Sequence, residues 1–292
     1  MKNYVIRAIA ADKSISIFFA ITTDLVEEAR KKHNTTPVAT AALGRTLTGA
    51  VIMGLMLKGE QNKLSVQIKG DGPLKEILAV ADNLGNVKGY VANPSVDLPL
   101  RQDGKLDVSS AVGNGKMIVI KDLGLKEPYS GQSDLVSGEI AEDFTAYFAY
   151  SEQQPSAVGL GVLVDRDETV KSAGGFIIQV LPDVQEEVLT RLEERLKWMP
   201  PITQLMEITT DGEEMLRMVL DEFDVEILDK KEVNFVCDCS VRKLEKALIS
   251  VGAKDLKEII EEDGQAELTC HFCNTKYHFD KEHLERLYEE AQ

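Results

Sequence analysis

Four cysteines constrain this 292-residue chain more than any other feature, because all of them fall in its last fifth, as two tight pairs. Cys237 and Cys239 lie in NFVCDCSVRK, and Cys270 and Cys273 lie in LTCHFCNTKY. The stretch 233–292 that carries them has few large apolar side chains, and a unit of that size needs a staple. Zinc accepts four soft ligands at the corners of a tetrahedron. C-x-x-C lets both sulfurs face one ion; C-x-C does so only on a turned backbone. The spacing predicts an all-thiolate zinc site built from Cys237, Cys239, Cys270 and Cys273. His271, His278 and His283 could each replace a thiolate, but four cysteines already fill a tetrahedron. These histidines are read as solvated or surface-packed.

Such a site can be a staple or a switch. Four thiolates on one cation are electron-rich and deprotonated at neutral pH, the state that oxidants attack. Cysteines one or two residues apart can also pair locally if the backbone yields. Oxidation would consume the ligands, and in a small domain the metal's binding free energy is folding free energy. Most four-thiolate sites are nonetheless inert, and the spacing leaves both roles open.

The net charge of −16 argues against nucleic acid or anionic membranes as main partners. Residues 233–292 hold eight Lys or Arg against thirteen Asp or Glu, the wrong balance for a nucleic-acid-binding ribbon. The N-terminal MKNYVIRAIAADKSISIFFA is broken by Arg7, Asp12 and Lys13 and does not read as a secretory leader. The most apolar long run, Val38 to Lys58, contains Arg45 and is read as a buried amphipathic helix rather than a membrane span. A cytoplasmic location follows as the expectation. In that reducing compartment close cysteine pairs suggest metal or redox chemistry before permanent disulfides.

Three segments are expected. Residues 1–182 read as an α+β domain. Tyr4, Ile6 and Ala8, then Ile15, Ile17, Phe19 and Ile21, alternate as strands. Asp24 with Glu27 is a candidate capping box. Thr36 before Pro37 marks the start of another helix. Strands come in groups without regular βαβ alternation. Residues 183–232 read as an amphipathic helical linker. Asp183 with Glu186, and Thr210 with Glu213, open its helices, and Pro200-Pro201 breaks it. Val188, Leu189, Leu192, Leu196 and Met199 fall on one face of the first helix. The linker has too little sequence for a core of its own, so it docks permanently or is poised to detach. Residues 233–292 form the cysteine unit.

Catalytic signatures are missing from the sequence. GNGK at 113–116 lacks phosphate-loop spacing, and GLGV at 159–162 lacks the rest of a dinucleotide fingerprint. An enzyme is not expected. An acidic zinc-ribbon binding module, or an enzyme with an inert zinc tail, is the competing reading.

FVCDCSVRKLEKAL and EIIEEDGQAELTCHFCNTKYHF together resemble the C-terminal zinc domain of the redox-regulated 33-kDa heat-shock chaperones of bacteria. The resemblance extends in order through IKGDGPLKEILAVADNLGNVKGYVANP, YSGQSDLVSGEIAEDFTAYFAYSEQQPSAVGLGV and AGGFIIQVLP. It implies an ATP-independent holdase that is largely inactive and monomeric when reduced and zinc-bound. It further implies that oxidants form two disulfides, Cys237–Cys239 and Cys270–Cys273, with loss of zinc, unfolding of the C-terminal domain and loosening of the linker. The exposed apolar surface would then bind unfolding client proteins, often as a homodimer. The ridge carrying Met215, Leu216 and Leu220 is the expected client surface, since methionine packs adaptably.

Overall fold

Alternation along the first two strands produces a sheet that is apolar on both faces. β1 (Tyr4–Ala10) and β2 (Ile15–Ile21) pair as an antiparallel hairpin, with Tyr4 opposite Ile21. Then follow α1 (Thr23–His33), α2 (Pro37–Met56), β3 (Lys63–Gly70), β4 (Glu76–Asp82), β5 (Asn86–Val91), α3 (Val108–Val112), β6 (Gly115–Asp122) and β7 (Tyr129–Asp134). Next come α4 (Ala141–Tyr147), a π-helical turn (Phe148–Glu152), β8 (Ser156–Val164) and β9 (Val170–Val180). The middle of the chain holds α5 (Glu186–Trp198), α6 (Ile202–Ile208), α7 (Gly212–Leu220), β10 (Val225–Glu232) and β11 (Asn234–Phe235). The chain ends with α8 (Val241–Val251), α9 (Ala253–Glu262), β12 (Gln265–Thr269), β13 (Lys276–Asp280) and α10 (Lys281–Glu290). The structure, a computed structural model, describes residues 3–182, 184–221 and 223–291. The chain divides into two units, one ending at Val236 and one starting at Cys237.

In the first unit, one sheet has the order β10-β1-β2-β9-β8 and the other β11-β5-β4-β3-β6-β7. α2 lies between them, touching β8 and β9 on one side and β3, β4 and β5 on the other. Val5, Phe18, Ala20 and Ile177 face α2 and join the larger core. Ile6, Ala8, Ile15, Ile17, Phe19 and Ile21 face the other way. The class is α+β, with helices in the middle of the chain and the cysteines gathered near its end.

α2 differs from the amphipathic helix expected. It is long and apolar enough to cross a membrane by length and composition, yet 89% of its most apolar window is buried inside the fold. A helix packed on nearly all sides has no polar face to keep. Small residues make this possible: a Cβ on Gly49 would lie 2.6 Å from the Phe144 ring. Buried hydroxyls turn inward, with Thr46 donating to the Ala42 carbonyl and Thr48 to that of Gly44.

The helix starts are set by other residues than the sequence patterns indicate. Asp24 and Glu27 form no capping box. Asn3 Oδ1 accepts from the N–H groups of Asp24 (3.0 Å) and Leu25 (3.1 Å) instead. Thr36 precedes Pro37 as expected, but its hydroxyl donates to the carbonyls of Pro94 and Val96 rather than capping the helix. α7 begins after Asp211, whose carboxylate accepts from Glu213 N–H at 3.0 Å, so the cap is not Thr210. Asp183 lies outside the described residues; α5 opens at Glu186.

The middle segment is helical only up to Leu220, and its last eight residues form β10, which pairs antiparallel with β1. Its helices cover the second face of the first sheet. Met215, Leu216, Val219 and Leu220 of α7, Ile202, Leu205 and Met206 of α6, and Leu192 of α5 complete that core. Glycines bring α6 close, since a Cβ on Gly161 would lie 2.4 Å from Ile202 Cγ2 and 2.8 Å from Thr203 Cγ2. α5 is held more loosely: Leu192 is its one buried residue.

Glu27 ties α1 to the start of β9. It takes Arg30 in a two-pronged pair at 2.7 and 2.8 Å and accepts the Val170 N–H at 3.0 Å. The Arg30 hydrogen bond, outweighing partial burial and aided by Val170, lowers its carboxyl from 4.5 to about 2. A depressed folded-state value stabilises the fold fully above the unfolded value, and that gain is lost as pH falls through the folded one. Glu27→Gln is expected to cost about 1–2 kcal/mol at pH 7, after discounting for solvent screening. In denaturant titrations the gap to the parent protein should close between pH 4.5 and about 2. A gap that does not change with pH would show that the carboxylate charge is irrelevant there.

Candidate metal centre

Each cysteine pair sits on a segment whose backbone is fixed locally. Cys270 and Cys273 occupy the turn of the β12–β13 hairpin, where Thr269 pairs with Lys276. Cys270 N–H donates to the Thr275 carbonyl at 2.9 Å, and the N–H groups of Cys273 and Asn274 return to the Cys270 carbonyl. Asn274 takes the left-handed conformation, φ 54°, that lets the knuckle close. Cys237 and Cys239 lie in the irregular stretch between β11 and α8. Ser240 caps that helix by accepting from Lys243 N–H at 3.3 Å, and Lys243 also pairs with Asp238.

Folding brings the four sulfurs within 4.8 Å of one another. Cys237 Sγ lies 3.7 Å from Cys270 Sγ, and Cys239 Sγ lies 3.4 Å from Cys273 Sγ. All four cysteines are free. A metal–sulfur bond of about 2.3 Å in a tetrahedron gives sulfur–sulfur edges of about 3.8 Å, close to these separations. The sequence-derived ligand set is thus gathered into one cluster that could hold a metal ion.

The electrostatics of the donor set pull in two directions. Among thiols alone, burial pushes Cys237 and Cys270 up. Cys273 falls to about 7; burial opposes this, but hydrogen bonds from the Thr275 hydroxyl and backbone and from neighbouring thiols prevail. A shared cation would reverse the upward shifts, because a coordinating thiol is deprotonated outright. Tyr277 OH donates to Cys239 Sγ at 3.1 Å, and the Thr275 hydroxyl lies 3.2 Å from Cys273 Sγ. The sequence reading missed both hydroxyls. Their only signal is position, two and four residues after the last cysteine on a strand that returns past the knuckle.

Two of the three histidines are engaged elsewhere. His283 Nε2 lies 2.7 Å from Glu245 Oε1, and His278 Nε2 lies 3.3 Å from Glu267. Among the described residues the metal-competent cluster consists of the four cysteines. The unit around it has a small core of Leu248, Leu256, Phe279, Leu284 and Leu287. Met215, Leu216 and Leu220 are buried in this conformation, at 1%, 0% and 0% exposure.

Comparison with known proteins agrees over the whole length. The family described as Hsp33 protein matches residues 3–280. A 33 kDa chaperonin of Alkaliphilus oremlandii is 57% identical over 98% of this chain and 96% of its own. One from Clostridioides difficile is 52% identical over 99% of this chain and 100% of its own. The crystal structure of the 33 kDa chaperonin (heat shock protein 33 homolog) of Thermotoga maritima superposes with a TM-score of 0.92 at 38% identity, covering 99% of both chains. These names are those of a chaperone and not of an enzyme. The chain belongs to the Hsp33 family of chaperones.

Proposed function

We propose that this chain is a redox-regulated, ATP-independent holdase that keeps unfolding proteins from aggregating in the cytoplasm. The gathering of four free thiols from two separate pairs, in a unit with few buried apolar side chains, carries the reading. Zinc suits an all-sulfur tetrahedral donor set, and when bound it would supply folding free energy to the unit. Cys237, Cys239, Cys270 and Cys273 would hold it. Oxidation converts these ligands into Cys237–Cys239 and Cys270–Cys273 disulfides, so the unit loses its staple and unfolds.

The second part of the reading concerns the linker of residues 183–232. Its helices have no core apart from the sheet face they cover, and α5 is loosely seated. Loosening them uncovers Ile6, Ile17, Phe19, Ile21 and Phe176 on the sheet, together with Met215, Leu216 and Leu220 on α7. Such a surface binds unfolded chains through apolar contact and favours association of activated copies as a homodimer.

Peroxide treatment of the zinc-loaded protein at mild heat is expected to release zinc, remove all four free thiols, join each pair internally by peptide mapping, and raise suppression of client aggregation. Persistence of zinc and thiols, or zinc release without a gain in holding, contradicts the proposal. Gly161→Val tests the docking separately. Its added methyls strike Ile202 and Thr203, so α6 should dock more weakly by about 1–3 kcal/mol. The reduced, zinc-bound variant should show faster proteolysis within 183–232 and raised holding. A protected linker with wild-type holding would rule this out. Replacing Met215, Leu216 and Leu220 with Ser should undock α7 when reduced, yet weaken holding by the oxidised protein; undiminished holding there removes the ridge from the client surface.

A further inference from the structure

Two hydroxyl groups lean on the sulfur cluster, Thr275 from the end of the knuckle and Tyr277 from β13. Each reaches the second cysteine of a different pair: Tyr277 OH donates to Cys239 Sγ at 3.1 Å, and Thr275 Oγ1 lies 3.2 Å from Cys273 Sγ. Tyr277 is held in place twice over. Its backbone sits opposite Leu268 in the β12–β13 ladder, and its ring packs against the small core of the unit. A protonated phenol beside a thiolate acts as the donor. That bond draws charge from the lone pairs with which the sulfur binds a cation or attacks an electrophile.

We propose that Tyr277, seconded by Thr275, is a positioning residue that sets the oxidant threshold of the cluster, holding Cys239 in its metal-binding place and slowing attack of that sulfur on a peroxide. The inference rests on the redox reading above. The restrained step is a two-electron oxidation by hydrogen peroxide. A thiolate sulfur attacks one peroxide oxygen, an S–O bond forms, the O–O bond breaks, and the departing hydroxide takes a proton to become water. The other thiolate of the pair attacks the sulfenic sulfur, an S–S bond forms, the S–O bond breaks, and the departing hydroxide takes a proton from solvent to become a second water. Sulfur is oxidised and peroxide reduced. Losing the hydroxyl at 277 leaves Cys239 freer to move and more nucleophilic, so the first of these steps quickens.

The test uses full-length, zinc-loaded Tyr277→Phe and Thr275→Val, with Tyr288→Phe on α10 as a control that also removes a tyrosine hydroxyl from this unit. Thiol loss and zinc release are followed under peroxide. Alkylation of each cysteine by iodoacetamide is read by mass spectrometry as a ratio to Cys237 in the same molecule. Tyr277→Phe should lose thiols and zinc about tenfold faster, the scale typical of groups that hydrogen-bond to metal ligands. Its alkylation ratio should rise selectively at Cys239, Thr275→Val should act more weakly and at Cys273, and Tyr288→Phe should match the parent. Simple loosening of the unit would speed all four cysteines alike, and that result overturns the proposal, as does a Tyr277→Phe profile equal to the parent's. A parent protein that keeps all four thiols in excess peroxide overturns the redox reading and this inference together. A parent that switches beside an unchanged Tyr277→Phe overturns the inference alone.

Discussion

A sheet that is apolar on both faces has to be covered on both, and the five-stranded sheet of this protein imposes that requirement on the rest of the first unit. One face is met by α2, which is buried almost all round and is shared with the second sheet. Removing it would expose two layers at once, so that cover belongs to the fold. The other face is met by α5, α6 and α7, which touch the sheet on one side and present charged residues on the other. Short helices without a core of their own owe their stability to the surface they cover. The two covers are therefore unlike: α2 is shared between two layers, whereas α5, α6 and α7 rest on a single sheet face.

The C-terminal unit faces the opposite problem. It has helices with apolar stripes and a two-stranded hairpin, but few fully buried apolar side chains. A unit of that size gains little from apolar burial alone, and a metal ion held by the four cysteines would add folding free energy to it. The hydrogen bonds of the knuckle, the Ser240 cap and the Asp238–Lys243 pair all hold cysteine-bearing backbone in place. Placing the ligands is most of what the local structure around the cluster does.

Much of this was legible in the residues. Ile15, Ile17, Phe19 and Ile21 announced one face of a strand by simple alternation, and that face is the one α5, α6 and α7 cover. The cysteine spacing announced the cluster because four sulfurs in two pairs leave few other uses. What was illegible depended on partners distant in sequence. Asn3 caps α1 from twenty-one residues away, and no pattern within that helix marks it. β10 carries Asp229, Lys230, Lys231 and Glu232, which fall in the segment read as an amphipathic helical linker, yet it pairs with β1 because an edge strand with one exposed face tolerates charge. α2 looked amphipathic because Arg45 interrupts it, but that guanidinium is absorbed by the Glu139 carboxylate at 2.7 Å. Tyr277 and Thr275 carry no motif; only the hairpin register puts their hydroxyls beside sulfur.

The sulfur geometry also bears on how a switch of this kind would work. The short contacts given above cross between the pairs, Cys237 to Cys270 and Cys239 to Cys273, whereas the proposed disulfides lie within them. Around a tetrahedral metal all sulfur–sulfur edges would be alike, so a cluster of that kind would commit to neither pairing. Cross-pair disulfides would staple the unit shut in place of the metal and keep its fold. Pairing within C-x-C and C-x-x-C instead closes only small local loops, which constrain the unfolded chain little. It also turns sulfurs away from the opposite segment, severing the link between the stretch before α8 and the β12–β13 turn. The choice of pairing would thus decide whether oxidation preserves the unit or opens it. The Tyr277 hydroxyl at Cys239 bears on the step before that choice, the first attack on the oxidant, and leaves the pairing to whichever thiolate reaches the oxidised sulfur.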